Sequence, residues 1–144
     1  MAKGTSKAGK VTGNQNTQKK IASVMQRIKE PTTKQDFIDK MEVMAEIGNL
    51  QGIYNYTVQT SDWENYGKSR TYFKIKETRA YDGKTHREMD YGYYDNKTNK
   101  YVKSRSNDLD TSKFYSISGS SVEDSAIKYA VSAVLKRKNK AVTA

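Results

Sequence analysis

Nine of the chain's eleven tyrosines lie between Ile53 and Arg105, with lysine and arginine between them. Two chemistries meet in that stretch. A phenol ring offers a flat face on which a nucleobase can stack, for ~1–3 kcal/mol each and with little regard to sequence, while ammonium and guanidinium groups track phosphate. The candidate binding residues are Tyr54, Tyr56, Arg70, Tyr72, Lys74, Lys76, Tyr91, Tyr93, Tyr101, Lys103 and Arg105. Tyrosine also favours strands because a half-buried pleated surface suits it. The local charge points further, since residues 65–107 hold eleven bases against five acids.

The ends of the chain carry a second signal. The formal net charge is +10, and the excess is confined to the two termini. Residues 1–20 hold Lys3, Lys7, Lys10, Lys19 and Lys20 and no acid; residues 128–144 hold Lys128, Lys136, Arg137, Lys138 and Lys140 and no acid. The 16 bases and 16 acids of residues 21–127 cancel. Exposed lysines bind phosphate by releasing counterions, without reading sequence. Basic residues in a last helical turn also complement the helix dipole, which accounts for part of the C-terminal set. An anionic membrane fits less well, because neither end has a Trp/Phe/Leu face.

Catalytic chemistry finds less support. His86 is the only histidine and reads as a surface residue near a turn. Asp108 with Asp110, or Glu88 with Asp90, could offer two carboxylates to a divalent ion, but no third ligand stands at a fixed offset. A nuclease would need a metal cluster and an activated water. Ser118-Gly119-Ser120-Ser121 before the last helix could cradle phosphate, though Asp124 in the first turn makes it an ordinary cap. No Walker, zinc-finger or RRM pattern occurs. Absence of cysteine excludes disulfides and thiolate zinc sites. The expectation is a non-enzymatic protein with no cofactor and no resident metal.

The elements that must position these residues follow from periodicity. Arg70–Tyr81 and Lys84–Tyr94 alternate with period two around Asp82-Gly83, the mark of a hairpin with a two-residue type I′ turn. That turn sets Tyr81 opposite Lys84, Lys76 opposite Met89, Lys74 opposite Tyr91 and Tyr72 opposite Tyr93. One face then carries Tyr72, Lys74, Lys76, Met89, Tyr91 and Tyr93; the other carries Phe73, Ile75, Gly92 and Tyr94. The register also sets Glu77 against Glu88 and Ile75 against Asp90, which a bulge near Gly92 or a longer loop would relieve.

Upstream, Ile21, Val24, Met25 and Ile28 mark a helix over residues 18–30, which Pro31 stops. Thr32 and Gln35 read as the capping box of a second helix. Its apolar stripe is Phe37, Ile38, Met41, Met44 and Ala45, with Asp36, Asp39, Glu42 and Glu46 outside and Gly48-Asn49 as C-cap. A strand follows from Gly52 to about Thr60, then a connection over residues 61–69. Residues 95–100 form a second turn and residues 101–105 a fourth strand. Residues 114–117 form a short edge strand, and Ile127, Ala130, Val131, Val134 and Leu135 mark a helix to about Lys138.

The plan is α+β: N-terminal helices, an antiparallel meander of about four strands, and a C-terminal helix packed on one sheet face. Residues 1–17 form a disordered basic arm, 18–138 one α+β domain and 139–144 a basic tail. No apolar run approaches the ~20 residues that cross a bilayer, and no secretory leader is visible. With the lack of cysteine, this fits the cytoplasm.

The expected function is weakly sequence-specific binding of nucleic acid, single-stranded by preference, as in a ribonucleoprotein or viral particle. An inhibitor or scaffold of a nucleic-acid enzyme, of the kind phages and mobile elements use, is the alternative. A metal-dependent nuclease is the third reading. Self-association, basic face to acidic face, is a further expected partnership.

Overall fold

The computed structural model describes residues 15–65, 68–110, 114–117 and 119–143. Lys3, Lys7 and Lys10 of the expected arm lie outside them. The described residues form α1 (Gln15–Lys29), α2 (Lys34–Asn49), β1 (Tyr54–Asn65), β2 (Lys68–Arg79), β3 (Thr85–Asp95), β4 (Lys100–Val102) and α3 (Asp124–Thr143). The strands make one antiparallel sheet in the order β1-β2-β3-β4. The helices lie on one side of it, and their apolar residues merge with those of the sheet into a single core.

The central element is α2. Thr33 caps it: its hydroxyl accepts from the Asp36 amide at 3.1 Å, and the Asp36 carboxylate accepts from the Thr33 amide at 3.1 Å. The capping box therefore sits one residue later than Thr32 and Gln35 would place it. Phe37, Met41, Val43, Met44, Ala45 and Ile47 are all buried, as expected of a helix enclosed on every side. The acids expected on its outer surface are enclosed too. Asp36, Asp39 and Glu46 are buried because α1 and α3 pack over them and supply cations. Arg27 reaches Asp36 at 3.4 Å and Asp39 at 3.0 Å; Lys138 reaches Asp39 at 3.3 Å and Glu42 at 3.0 Å; Arg137 pairs with Glu46.

One cation lies inside the core itself. Lys40 is 1% exposed, its Nζ donating to the Asp110 carbonyl and lying 5.6 Å from the centre of the Phe114 ring. Burial pushes its pKa down from 10.5 to about 8, against the pull of Asp110 and Asp108. The lysine ties the loop after β4 to the middle of α2.

The β2–β3 hairpin forms, with a different turn and register. Residues 80–83 make a four-residue loop closed by the Arg79 amide donating to the Lys84 carbonyl at 2.9 Å. Gly83 takes a positive φ of 69° and Asp82 does not, so the type I′ turn is excluded. Asp82 instead accepts from the Lys84 amide at 3.0 Å. Two irregularities follow, between Glu77 and Thr78 and between Phe73 and Lys74. Tyr72 still faces Tyr93, but Lys74 now faces Asp90, Ile75 faces Met89, Lys76 faces Glu88 and Glu77 faces Arg87. Neither the Glu77–Glu88 nor the Ile75–Asp90 pairing of the simple register occurs.

The bulge near Gly92 carries Met89 and Tyr91 to the core side. A disrupted ladder forfeits about 1 kcal/mol per hydrogen bond, whereas burying a large apolar side chain contributes about 1.5–3 kcal/mol. Two such burials decide the matter. Gly92 is required there: its φ is 100°, and a Cβ would lie 2.1 Å from the Val102 carbonyl oxygen.

Three further differences concern extent. Residues 61–65 continue β1 rather than forming a connection, and Asn65 pairs with Lys68. In place of an edge strand over residues 114–117 there is one bridge between Tyr115 and Ser121. Helix α3 runs on to Thr143, so residues 139–143 of the expected tail are its last turns.

Candidate nucleic-acid interface

Strand alternation sends Thr57, Gln59, Ser61 and Trp63 of β1 to the side away from the helices, opposite Lys76, Lys74, Tyr72 and Arg70 of β2. Tyr93 and Val102 join them from β3 and β4. No described residue covers this side, and Trp63 stays 53% exposed, Val102 39%.

The rings form a file across the strands. Trp63 and Tyr72 have centroids 5.7 Å apart at 46°, and Tyr72 and Tyr93 lie 5.2 Å apart at 40°. Arg70 is laid over the Tyr93 ring, its guanidinium carbon 4.4 Å from the centroid, and donates to the Tyr72 hydroxyl at 3.2 Å. That hydrogen bond raises its already high pKa. Both contacts hold the guanidinium flat while leaving it charged. Beside the rings, Gln59, Ser61, Lys74 and Asp90 border a shallow groove of about 890 Å³.

The electrostatics of this face are mixed. Lys74 pairs with Glu88 at 3.0 Å. Asp90 lies beside it and accepts from the Gly92 amide at 2.8 Å. Stacking groups dominate over free cations.

The sequence candidates are thus divided. Arg70, Tyr72, Lys74, Lys76 and Tyr93 come together on the uncovered side. Tyr91 does not: it is 4% exposed on the core side, with its phenol pKa raised by burial. Tyr101 is also withdrawn, stacked 4.9 Å from Phe37 and donating to the Tyr91 carbonyl. Tyr56 packs against Gly48 and Glu77, its pKa raised by burial and then by Glu77. Tyr54 stacks on His86 at 5.0 Å, at the far end of the hairpin from the ring file. Lys103 and Arg105 lie past the end of β4, Lys103 within 3.8 Å of Asp108.

On the helices, Lys19, Lys20 and Lys136 are exposed, whereas Arg137 and Lys138 are held by the carboxylates of α2. Lys140 falls within α3. The carboxylates considered for a metal disperse among separate partners, and no group of three or more His, Asp or Glu that could hold a metal occurs among the described residues.

Trp63 is the residue that sequence reasoning missed. Ending β1 near Thr60 left it in a connection. The signal was the period-two run Thr57, Gln59, Ser61, Trp63, which continues without a break.

Comparison of the chain with protein-family models, curated proteins and solved structures returns no match in any of the three. Among the described residues, no helix is long and apolar enough to cross a membrane.

Proposed function

We propose that this chain is a non-enzymatic, weakly sequence-specific nucleic-acid-binding protein that prefers single strands. One observation carries the reading: Trp63, Tyr72 and Tyr93 stand in file on an uncovered sheet face, with Arg70 held across the last ring. An unpaired base can lie against such rings, and a duplex cannot present its bases in that way. Arg70, Lys74 and Lys76 would meet the phosphates beside the stacked bases. Among the described residues, the uncovered sheet face carries no helix that could present Arg, Asn or Gln to base edges, so specificity should be slight.

The test is a titration of fluorescent oligothymidine and of a duplex of equal length at several salt concentrations. With about three phosphates neutralised by Arg70, Lys74 and Lys76, log K for the single strand should fall by roughly 2 per decade of salt. Trp63→Ala with Tyr72→Ala should weaken single-strand binding and spare the slope. Absence of measurable binding at low salt, or indifference to those substitutions, would overturn the proposal.

A second reading, a protein-binding inhibitor or scaffold, is favoured by the free edge of β1. Asn49 accepts from the Tyr56 amide at 2.6 Å and donates to its carbonyl at 3.4 Å, closing the edge at that point. Hydrogen-bonding direction alternates along a strand, so Val58, Thr60 and Asp62 point the same way, where an added strand could pair. Capture from lysate that survives nuclease treatment would support it.

A further inference from the structure

The sheet-face site leaves a second cationic surface unused. Lys19 and Lys20 of α1 and Lys128 and Lys136 of α3 are exposed. Their neighbours Arg27, Lys29, Arg137 and Lys138 are all ion-paired, whereas these four make no ion pair with a described carboxylate. The first turn of α1 holds no acid. Lys19 and Lys20 stand in its second turn, and no acid occurs anywhere in the helix to neutralise them.

The placement of these lysines follows from one contact. Lys29 meets Asp124 at 2.5 Å, joining the last turn of α1 to the first of α3. One helix arrives at that contact and the other departs from it. Both bury their apolar residues in the same core, so they run alongside in opposite directions. Lys19, Lys20 and Lys136 then lie toward the far end of the helix layer, with Lys128 about two turns back along α3. The sheet lies between that layer and the ring file, so a strand seated on Trp63, Tyr72 and Tyr93 cannot touch these lysines without turning around the sheet.

We propose that the protein bridges two nucleic-acid segments: a single strand stacked on the sheet, and a second segment held through its phosphates by Lys19, Lys20, Lys128 and Lys136. This rests on the single-strand reading of the sheet face. The two sites differ in kind. The ring file demands unpaired bases. The helical lysines ask only for a phosphate backbone, so they accept duplex and weaken steeply with salt.

The experiment immobilises oligothymidine, loads the full chain, and then offers a labelled duplex. Wild type should retain duplex. The quadruple variant Lys19→Ala, Lys20→Ala, Lys128→Ala, Lys136→Ala should load onto oligothymidine as well as wild type but retain about tenfold less duplex. Trp63→Ala with Tyr72→Ala should load far less protein, through phosphate contacts alone, yet bind duplex free in solution as wild type does. Duplex that displaces the protein from oligothymidine, or retention that survives the lysine substitutions, would overturn bridging alone. A wild-type chain that never loads onto oligothymidine would sink the single-strand reading, and bridging with it.

Discussion

The two sides of this molecule use the same residue type for different ends. On the sheet side, Arg70 lies over Tyr93 and donates to Tyr72. On the helix side, Arg137 is bound to Glu46, a carboxylate that α3 itself helps to bury. An aromatic ring orients a guanidinium and leaves its charge intact; a buried carboxylate consumes it. A count of bases near the C-terminus therefore overstates the cations available to a ligand. Arg137 and Lys138 serve the fold, while Lys19, Lys20, Lys128 and Lys136 remain for a partner.

Substitutions can separate these uses. The largest effect is expected from removing Trp63, Tyr72 and Tyr93 together. Two open rings at ~1–3 kcal/mol each, with loss of the Tyr93 ring that holds Arg70, should cost more than tenfold in single-strand affinity. Stability should also fall, by about 1–2 kcal/mol, because Tyr72 and Tyr93 pair across the strands and hold Arg70; titration and thermal unfolding check both statements.

Asp39→Ala is expected to move stability alone. It leaves Arg27 and Lys138 without their shared anion, and denaturant unfolding should show a loss of about 2 kcal/mol. Affinity for oligonucleotide should hold, because Arg27 keeps Asp36 and Lys138 keeps Glu42 as partners.

Lys40 gives a pH signature of similar size. Its pKa of about 8 in the fold lies below the ordinary 10.5, mainly through burial. The unfolded chain therefore holds more protons across that interval, and stability climbs as pH rises. The gain should be roughly 2 kcal/mol from about pH 7 to about 9.5. Above that range Tyr56 and Tyr101, whose pKa values are raised by burial, reverse the trend. Lys40→Met should flatten the rise in urea unfolding curves taken across the interval.

The finest distinction sets neighbours on α3 against each other. Arg137→Ala should lower stability by about 0.5–1 kcal/mol, a value reduced by solvent around its half-exposed side chain, and leave the salt dependence of binding unchanged. Lys136→Ala should leave stability unchanged and reduce the salt slope for duplex by about 0.9. If both residues move the same observable, the contrast between the two sides fails.

Much of the layout was legible before any coordinates. Helical stripes at Ile21, Ile28, Phe37 and Met41 located α1 and α2, and alternation at Phe73 and Ile75 gave the buried side of β2. Tyr72 opposite Tyr93 also held, because the two one-residue irregularities of the hairpin cancel the shift that the longer loop introduces. The site was only half legible. Tyr91 and Tyr101 carry the same side chain as Tyr72 and Tyr93, and local pattern cannot say which tyrosines a core will claim.

The chain by itself determined the element order, the antiparallel meander and the concentration of positive charge at its ends, since these depend on local periodicity and composition. Packing decided the rest. It inserted a bulge at Gly92 to bury Met89 and Tyr91, drew the acids of α2 under α1 and α3, and left Trp63 in file with two tyrosines in the open. Each of those outcomes balances a local cost against burial contributed by residues distant in sequence, and that balance exists only once the elements meet.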